Sequence, residues 1–308
     1  MELSGFAIIV YHLDLSQSSA AIVYSAYSLC LVVCLPISGW LIDIGHIARS
    51  FRLGVFLYAL SSLAMLAEYG FFYILACRCV QGFSAGLFSP SVPIIVSNSG
   101  ASSARSLSIW TTISSVLFAI SPLIIGYMTE YASWGAAWLL IPLFALFALC
   151  MVKDLNQTDL GVVRYRVPST ESLIILLVIF LCFGASTFVI FALPTDFRTP
   201  SEAGFALMLL WILSGAVSFF ISKLLSNNNY RALIFIGFVL HFPIVPAVMF
   251  GEPYVAVTLA GLGMGLVNAP TTFALLRSAR ANEQGLLASL DIMSARLGGS
   301  IFIIAFAV

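Results

Sequence analysis

The chain has 308 residues, of which 61% are hydrophobic and 8% charged, with 13 basic and 13 acidic side chains and no net charge. An ordinary soluble domain carries about 25% charged residues, and no single water-bounded core could hide this much apolar surface. The neutral balance argues against a nucleic-acid partner. A bilayer removes the burial problem, because lipid-facing side chains need no polar cover, so the expected fold class is an all-α polytopic membrane protein.

A spanning helix needs roughly 20 apolar residues, since the hydrocarbon core is about 30 Å thick and each residue rises about 1.5 Å. In chain order, a partial first helix covers about 1–13 and is too short to span alone. Ten candidate spans follow, near 20–42, 51–68, 71–97, 105–128, 135–152, 172–194, 203–223, 231–250, 253–277 and 285–308. Glu68-Tyr69-Gly70 reads as a tight turn between two of them. Pro36, Pro122, Pro142, Pro243 and Pro246 fall inside spans, where neighbouring helices and polar side chains can satisfy the freed backbone groups.

Loop charges give the orientation. With the turn at 43–52 taken as side one and the spans alternating, side one holds Arg49, Arg52, Arg105, Lys153, Arg164, Arg166, Lys223, Arg231, Arg277 and Arg280. Side two holds Arg198 alone among the bases, with Glu68, Glu130, Asp196, Glu202 and Glu252. Lys and Arg stay in cytoplasmic loops, so side one is cytoplasmic, and the alternation also supports the list of spans. The polar segment 153–171 then lies in the cytoplasm and divides the chain into helix bundles at 1–152 and 172–308. Two similar halves suggest a transporter built from repeats. The turns Asp14–Ala20 and Asp196–Ala203 correspond in position.

All six cysteines, Cys30, Cys34, Cys77, Cys79, Cys150 and Cys182, lie in apolar runs and read as small buried hydrophobes. Cys77-x-Cys79 is too close for zinc-type spacing, and no other His/Cys set has metal-ligand spacing, so no metal or cofactor is expected. The opening Met-Glu-Leu-Ser has neither a basic segment nor a cleavage site, so no cleavable signal peptide is read. No phosphate-binding Gly-x-x-x-x-Gly-Lys-Ser/Thr loop and no Ser/His/Asp pattern occurs, which argues against both ATP as an energy source and an enzyme.

Two motifs carry chemistry. After the span at 20–42 comes Gly39-Trp-Leu-Ile-Asp43-Ile-Gly45-His46-Ile-Ala-Arg49. Gly39 lies one turn before Asp43 and would allow a neighbouring helix to approach closely. Asp43 would end a helix, where the dipole disfavours an anion, so it needs a basic side chain or the N-terminus of another helix as partner; a solvated loop acid is the alternative. In the span at 71–97 stands Arg78-Cys-Val-Gln81-Gly82-Phe-Ser-Ala-Gly86. An intramembrane Arg normally faces a cavity or a carboxylate, with snorkelling to the outer interface as the alternative. Gln81 shares its face, and Gly82 and Gly86 form a strip for helix contact.

Gly39-x-x-x-Asp43 after the second helix and Arg78-x-x-Gln81-Gly82 in the fourth resemble the major facilitator superfamily, and more closely its drug:proton antiporter branch. The likeness covers nearly the whole chain and includes Asp14-Leu-Ser with Tyr27, Trp134-Gly-Ala-Ala-Trp138-Leu-Leu-Ile-Pro142, Gly261-x-Gly263-x-Gly265 with Pro270, and Arg296-Leu-Gly298-Gly299-Ser300. The resemblance implies two pseudo-symmetric six-helix bundles, with Asp43 and Arg49 in a cytoplasmic gate. It places Met1 inside helix one and Val308 within helix eleven, so most of helix one and all of helix twelve are expected to be absent. Two features depart from the family. Asp43 is followed by Ile44-Gly45-His46, and bases return only at Arg49 and Arg52. The antiporter motif of helix five keeps only Ser121-Pro122 and Gly126, which are expected to serve helix packing.

Three charges lie within spans: Arg78, Asp291 and Arg296. Asp291 and Arg296 are five residues apart, about 140° around a helix, so they should not pair directly. Arg296 is expected to line a central cavity, and Asp291 either needs a separate partner or is an interfacial first-turn acid. Asp14 is a further proton-carrying candidate, with a loop acid as its alternative. His241 reads as packed rather than as a relay. Tyr11, Tyr24, Tyr27, Phe118, Trp211 and Phe273 could line a lipophilic cavity or simply pack. The expected function is secondary transport in the cell (inner) membrane by a monomer, exporting small amphipathic molecules in exchange for protons. The alternatives are a facilitator importing a polar metabolite and a non-transporting membrane protein.

Overall fold

Serine hydroxyls start several of the apolar helices. Ser16, Ser133 and Ser169 each accept the backbone N–H three residues on, at 3.3, 3.1 and 3.2 Å, filling donors a first turn leaves open. The structure, a computed structural model, describes residues 6–8, 13, 15–67, 69–98, 103–151, 169–222, 224–225, 229–278 and 284–307. All of its regular structure there is helical. A short piece α1 at 6–8 precedes α2 (Gln17–Asp43), α3 (Ile47–Ala64), α4 (Phe71–Phe88), α5 (Ser91–Asn98) and α6 (Ser103–Tyr131). Then come α7 (Trp134–Trp138), α8 (Leu140–Met151), α9 (Thr170–Ala192), α10 (Pro200–Ser222), α11 (Tyr230–His241), α12 (Ile244–Met249), α13 (Pro253–Ser278) and α14 (Gln284–Ala307).

Among the described residues, nine helices are long and apolar enough to cross a membrane. The tenth candidate, near 135–152, is a shorter apolar helix, Trp134–Cys150, with a break between α7 and α8 at Leu139. Two other spans are interrupted. The one near 71–97 turns at Ser89-Pro90, and the one near 231–250 breaks at Phe242-Pro243, because proline cannot supply the N–H that continues a helix. Of the expected first helix at about 1–13, residues 6–8 and 13 are described, and 6–8 are helical.

Four tight seams organise the bundle, each at a residue without a side chain. On α4, a Cβ at Gly82 would meet the Tyr27 carbonyl of α2, and one at Gly86 would sit 2.8 Å from the Leu31 carbonyl and 2.7 Å from Cys34 Cβ. The same construction recurs between α13 and α10. There Gly261 faces the Leu210 carbonyl at 2.7 Å, and Gly265 faces the Ser214 carbonyl at 2.8 Å and Val217 Cβ at 2.7 Å. Both glycine pairs are four apart, and both partner helices answer at steps of four and three residues. The two halves therefore repeat at the level of backbone packing.

The other two seams join the repeats. Near one end, Gly39 of α2 and Gly285 of α14 each face the other's carbonyl, at 3.1 and 2.8 Å. Near the opposite end, Gly126 of α6 faces the Pro200 carbonyl of α10, and Gly204 of α10 faces the Pro122 carbonyl. The first seam lies at the end rich in bases and the second at the end rich in acids. Pro122 stays inside α6 without ending it, and its buried carbonyl backs the contact with Gly204.

Candidate functional site: a buried arginine and a capped aspartate

The buried face of α4 carries Ile74, Cys77, Arg78, Gln81, Gly82 and Ala85, at the three-and-four spacing of one helix stripe. A guanidinium on that stripe cannot reach water, and Arg78 is 0% exposed, which excludes snorkelling to the interface. Its Nη1 donates to Gln81 Oε1 at 2.9 Å. Gln81 Nε2 in turn donates to Ser62 Oγ on α3 at 3.2 Å. Trp138 Nε1 of α7 donates to the Ser62 carbonyl at 3.0 Å. The guanidinium carbon lies 4.0 Å from the centre of the Phe6 ring and 4.6 Å from that of Tyr27. Desolvated cation–π contacts of this kind contribute about 2 kcal/mol. Phe6 packs edge-on to Trp138, and Tyr24 edge-on to Phe191 of α9, extending the aromatic wall. Gln81 beside Arg78 was legible from spacing. Phe6, Ser62 and Trp138 as its neighbours were not, because they come from three other helices.

Asp43 is buried, at 3% exposure, at the last residue of α2. Its carboxylate accepts the Gly285 N–H at 2.9 Å and the Leu286 N–H at 3.2 Å, both in the first turn of α14. Of the two partners considered from sequence, the structure presents a helix N-terminus, where open amides and the dipole favour an anion. Gly45 makes this possible. It takes a left-handed φ of 93°, and the Gly45 and His46 amides turn back to the Ile42 and Leu41 carbonyls at 2.9 and 2.8 Å. The helix thus stops just past Asp43. Arg49, expected to share the gate, is exposed on α3.

Arg296 is partly buried on α14. It lies eleven residues beyond Gly285, about 20° around and about 16 Å along the helix, on the side that meets α2. Asp291 accepts a hydrogen bond from Thr272 Oγ1 of α13 at 2.7 Å, so it has a packed partner rather than only an interfacial setting. Gly298 and Gly299 of the same motif seat α14 on α9, against the Phe180 carbonyl and Thr187. His241 is buried; its Nδ1–H donates to the Gly237 carbonyl at 2.7 Å, leaving Nε2 to accept from Ser186 Oγ at 3.1 Å. Tyr24 and Tyr27 are buried, and Phe118 packs on Trp211 with ring centres 4.9 Å apart. Asp14 and Tyr11 lie outside the described residues, as does most of the segment 153–171. The cysteine expectation is corrected. Cys34, Cys77 and Cys182 are buried, but Cys30 and Cys79 are half-buried and Cys150 is exposed, as lipid-facing helix positions allow.

A family model for the Major Facilitator Superfamily matches residues 3–303. The chain belongs to that superfamily. Its members are membrane transporters rather than enzymes. A curated relative is the "Methylenomycin A resistance protein" of Bacillus subtilis (strain 168), 26% identical over 246 residues that cover 75% of this chain and 51% of the relative. The chain thus spans about half the length of that relative. Among solved structures, the human organic anion transporter MFSD10 (TETRAN) shares the fold with a TM-score of 0.76 at 14% identity, over 99% of this chain and 82% of that one.

Proposed function

We propose that the chain is a proton-coupled exporter of small amphipathic compounds, of the drug:proton antiporter branch, working as a monomer in the cell (inner) membrane by alternating access. In this reading, residues 1–152 and 172–308 are two bundles joined by a cytoplasmic linker at 153–171, and the basic end faces the cytoplasm. The observation that carries it is the Arg78–Gln81–Ser62 chain, a guanidinium held inside a membrane span by a neutral amide and two aromatic faces. A fixed charge in that setting is expensive, and membrane proteins keep such charges where ions or protons move. Arg78 would set the field in which a coupling proton is taken up and released, with Arg296 and Asp14 as further candidates. Asp43 would hold the basic end closed. The aromatic walls suit a lipophilic cargo, and the name of the Bacillus relative supports export of a toxic compound. The test is efflux of a lipophilic dye from vesicles under an imposed proton gradient. Arg78→Leu should lower the initial rate by about tenfold or more, equivalent to about 1.4 kcal/mol of lost interaction. Unchanged gradient-driven transport would remove Arg78 from the coupling.

A further inference from the structure

Asp43 has a counterpart at the far end of the molecule. Glu130 stands four residues after Gly126 on α6, as Asp43 stands four after Gly39 on α2. Its Oε2 accepts the Ser201 N–H of α10 at 3.2 Å, as Asp43 accepts amides of α14. Neighbouring donors are met locally: Thr199 Oγ1 accepts the Glu202 N–H at 3.3 Å, and Glu202 Oε2 accepts the N–H of Arg198, just before the helix, at 3.1 Å. Ser201 is thereby left for an acid from another helix. The seams beneath also match, since Gly126 and Gly204 face Pro200 and Pro122 carbonyls as Gly39 and Gly285 face one another. Each acid sits at the C-terminal end of its own helix, where the dipole opposes it, and is held by the N-terminus of the facing one.

We infer that Glu130 latches α6 to α10 at the acidic end, as the opposite number of the Asp43 contact; both latches are closed in the described conformation, and transport opens them one at a time. This rests on the alternating-access part of the proposed function, but on neither its cargo nor its coupling ion. The latches differ in setting. Asp43 is buried and Glu130 is exposed, so the Glu130 contact is the one that salt weakens. The acidic end is therefore the end that opens first from the described conformation.

The test is backbone hydrogen exchange on the whole chain in lipid discs, for the parent, Glu130→Ala, Glu130→Gln and Asp43→Ala. Position 130 is exposed, so its variants keep the fold. Glu130→Ala should raise exchange several-fold across 201–204 and 126–130 and lower it across 284–288. Glu130→Gln, which keeps an acceptor but loses the charge, should do the same to a smaller extent. Asp43→Ala should give the mirror image. A rise confined to 201–204, with 284–288 unaltered, would mean a local helix cap and would overturn the latch. So would exchange unaltered throughout. Dye efflux from vesicles carrying the same variants separates the two proposals: reciprocal exchange changes without gradient-driven efflux support the latch while counting against the coupling.

Discussion

The seams between α2 and α4 and between α10 and α13 are built alike and filled differently. Both bring two glycines, four residues apart, onto the carbonyls of the facing helix. Four and one residues before the first glycine, the first seam carries Arg78 and Gln81. At the corresponding positions the second carries Val257 and Ala260, also buried. The backbone scaffold is thus indifferent to polarity, and apolar residues suffice to complete it. The polar pair is an addition that packing of this kind does not require. That contrast, more than the burial of Arg78 alone, supports the proposed role of Arg78 in coupling.

The most severe way to break the comparison is to add volume at the glycines. A Cβ at Gly82 would overlap the Tyr27 carbonyl, whereas at Gly261 it would lie 2.7 Å from the Leu210 carbonyl. Neither neighbour is a flexible side chain, so a helix must shift. Gly82→Ala should cost about 3 kcal/mol, and Gly261→Ala a smaller amount within the range of about 1–3 kcal/mol typical of overpacking. Thermal unfolding in detergent measures both. Equal losses would mean that the first seam is no closer than the second.

Exchanging the contents of the seats is the next test. The double variant Arg78→Val with Gln81→Ala gives the first seam the residues of the second. Removing a buried hydrogen-bonding pair together costs less than removing one member and orphaning the other, so the double variant should be no less stable than Arg78→Val alone. Gradient-driven efflux should be lost. Arg78→Val alone leaves the Gln81 amide without its guanidinium donor and should cost about 1–3 kcal/mol. A double variant less stable than the single one would show that the polar pair holds the seam together.

Much of this arrangement was legible in the sequence. Nine of the ten expected spans follow from the length of the apolar runs, whereas the break at Pro243 departs from the reading of that proline as tolerated inside a span. Arg78, Gln81 and the two glycines of α4 share a stripe that helical spacing reveals. Gly261 and Gly265 were visible too, but their equivalence to Gly82 and Gly86 needed the partners Leu210, Ser214 and Val217, which have no side-chain pattern in common with Tyr27, Leu31 and Cys34. Contacts made by backbone carbonyls leave no mark on residue type. For the same reason the sequence offered a helix N-terminus as a partner for Asp43 without saying which helix supplies it. Glu130 repeats the glycine-to-acid spacing of Asp43, and that spacing was the available signal for the second contact.

The smallest effect concerns how far the Arg78 seat extends. Trp138 touches neither Arg78 nor Gln81 by hydrogen bond; it holds the Ser62 carbonyl, and Ser62 holds Gln81. Trp138→Phe keeps an aromatic ring against Phe6 and deletes the indole donor, for a loss of about 1 kcal/mol. If Trp138 acts by positioning Ser62 for the polar pair, that loss should shrink once Arg78→Val and Gln81→Ala have removed the pair. A double-mutant cycle should then return a coupling of about 0.5 kcal/mol or more, the scale found for residues that share one hydrogen-bond network. No coupling would confine the seat to α3 and α4 and leave Trp138 as ordinary packing. The C-terminal seam sharpens the expectation. Val257 and Ala260 have no hydrogen-bonding side chain, so the corresponding seam closes without any network like the one that reaches from α4 through α3 to α7.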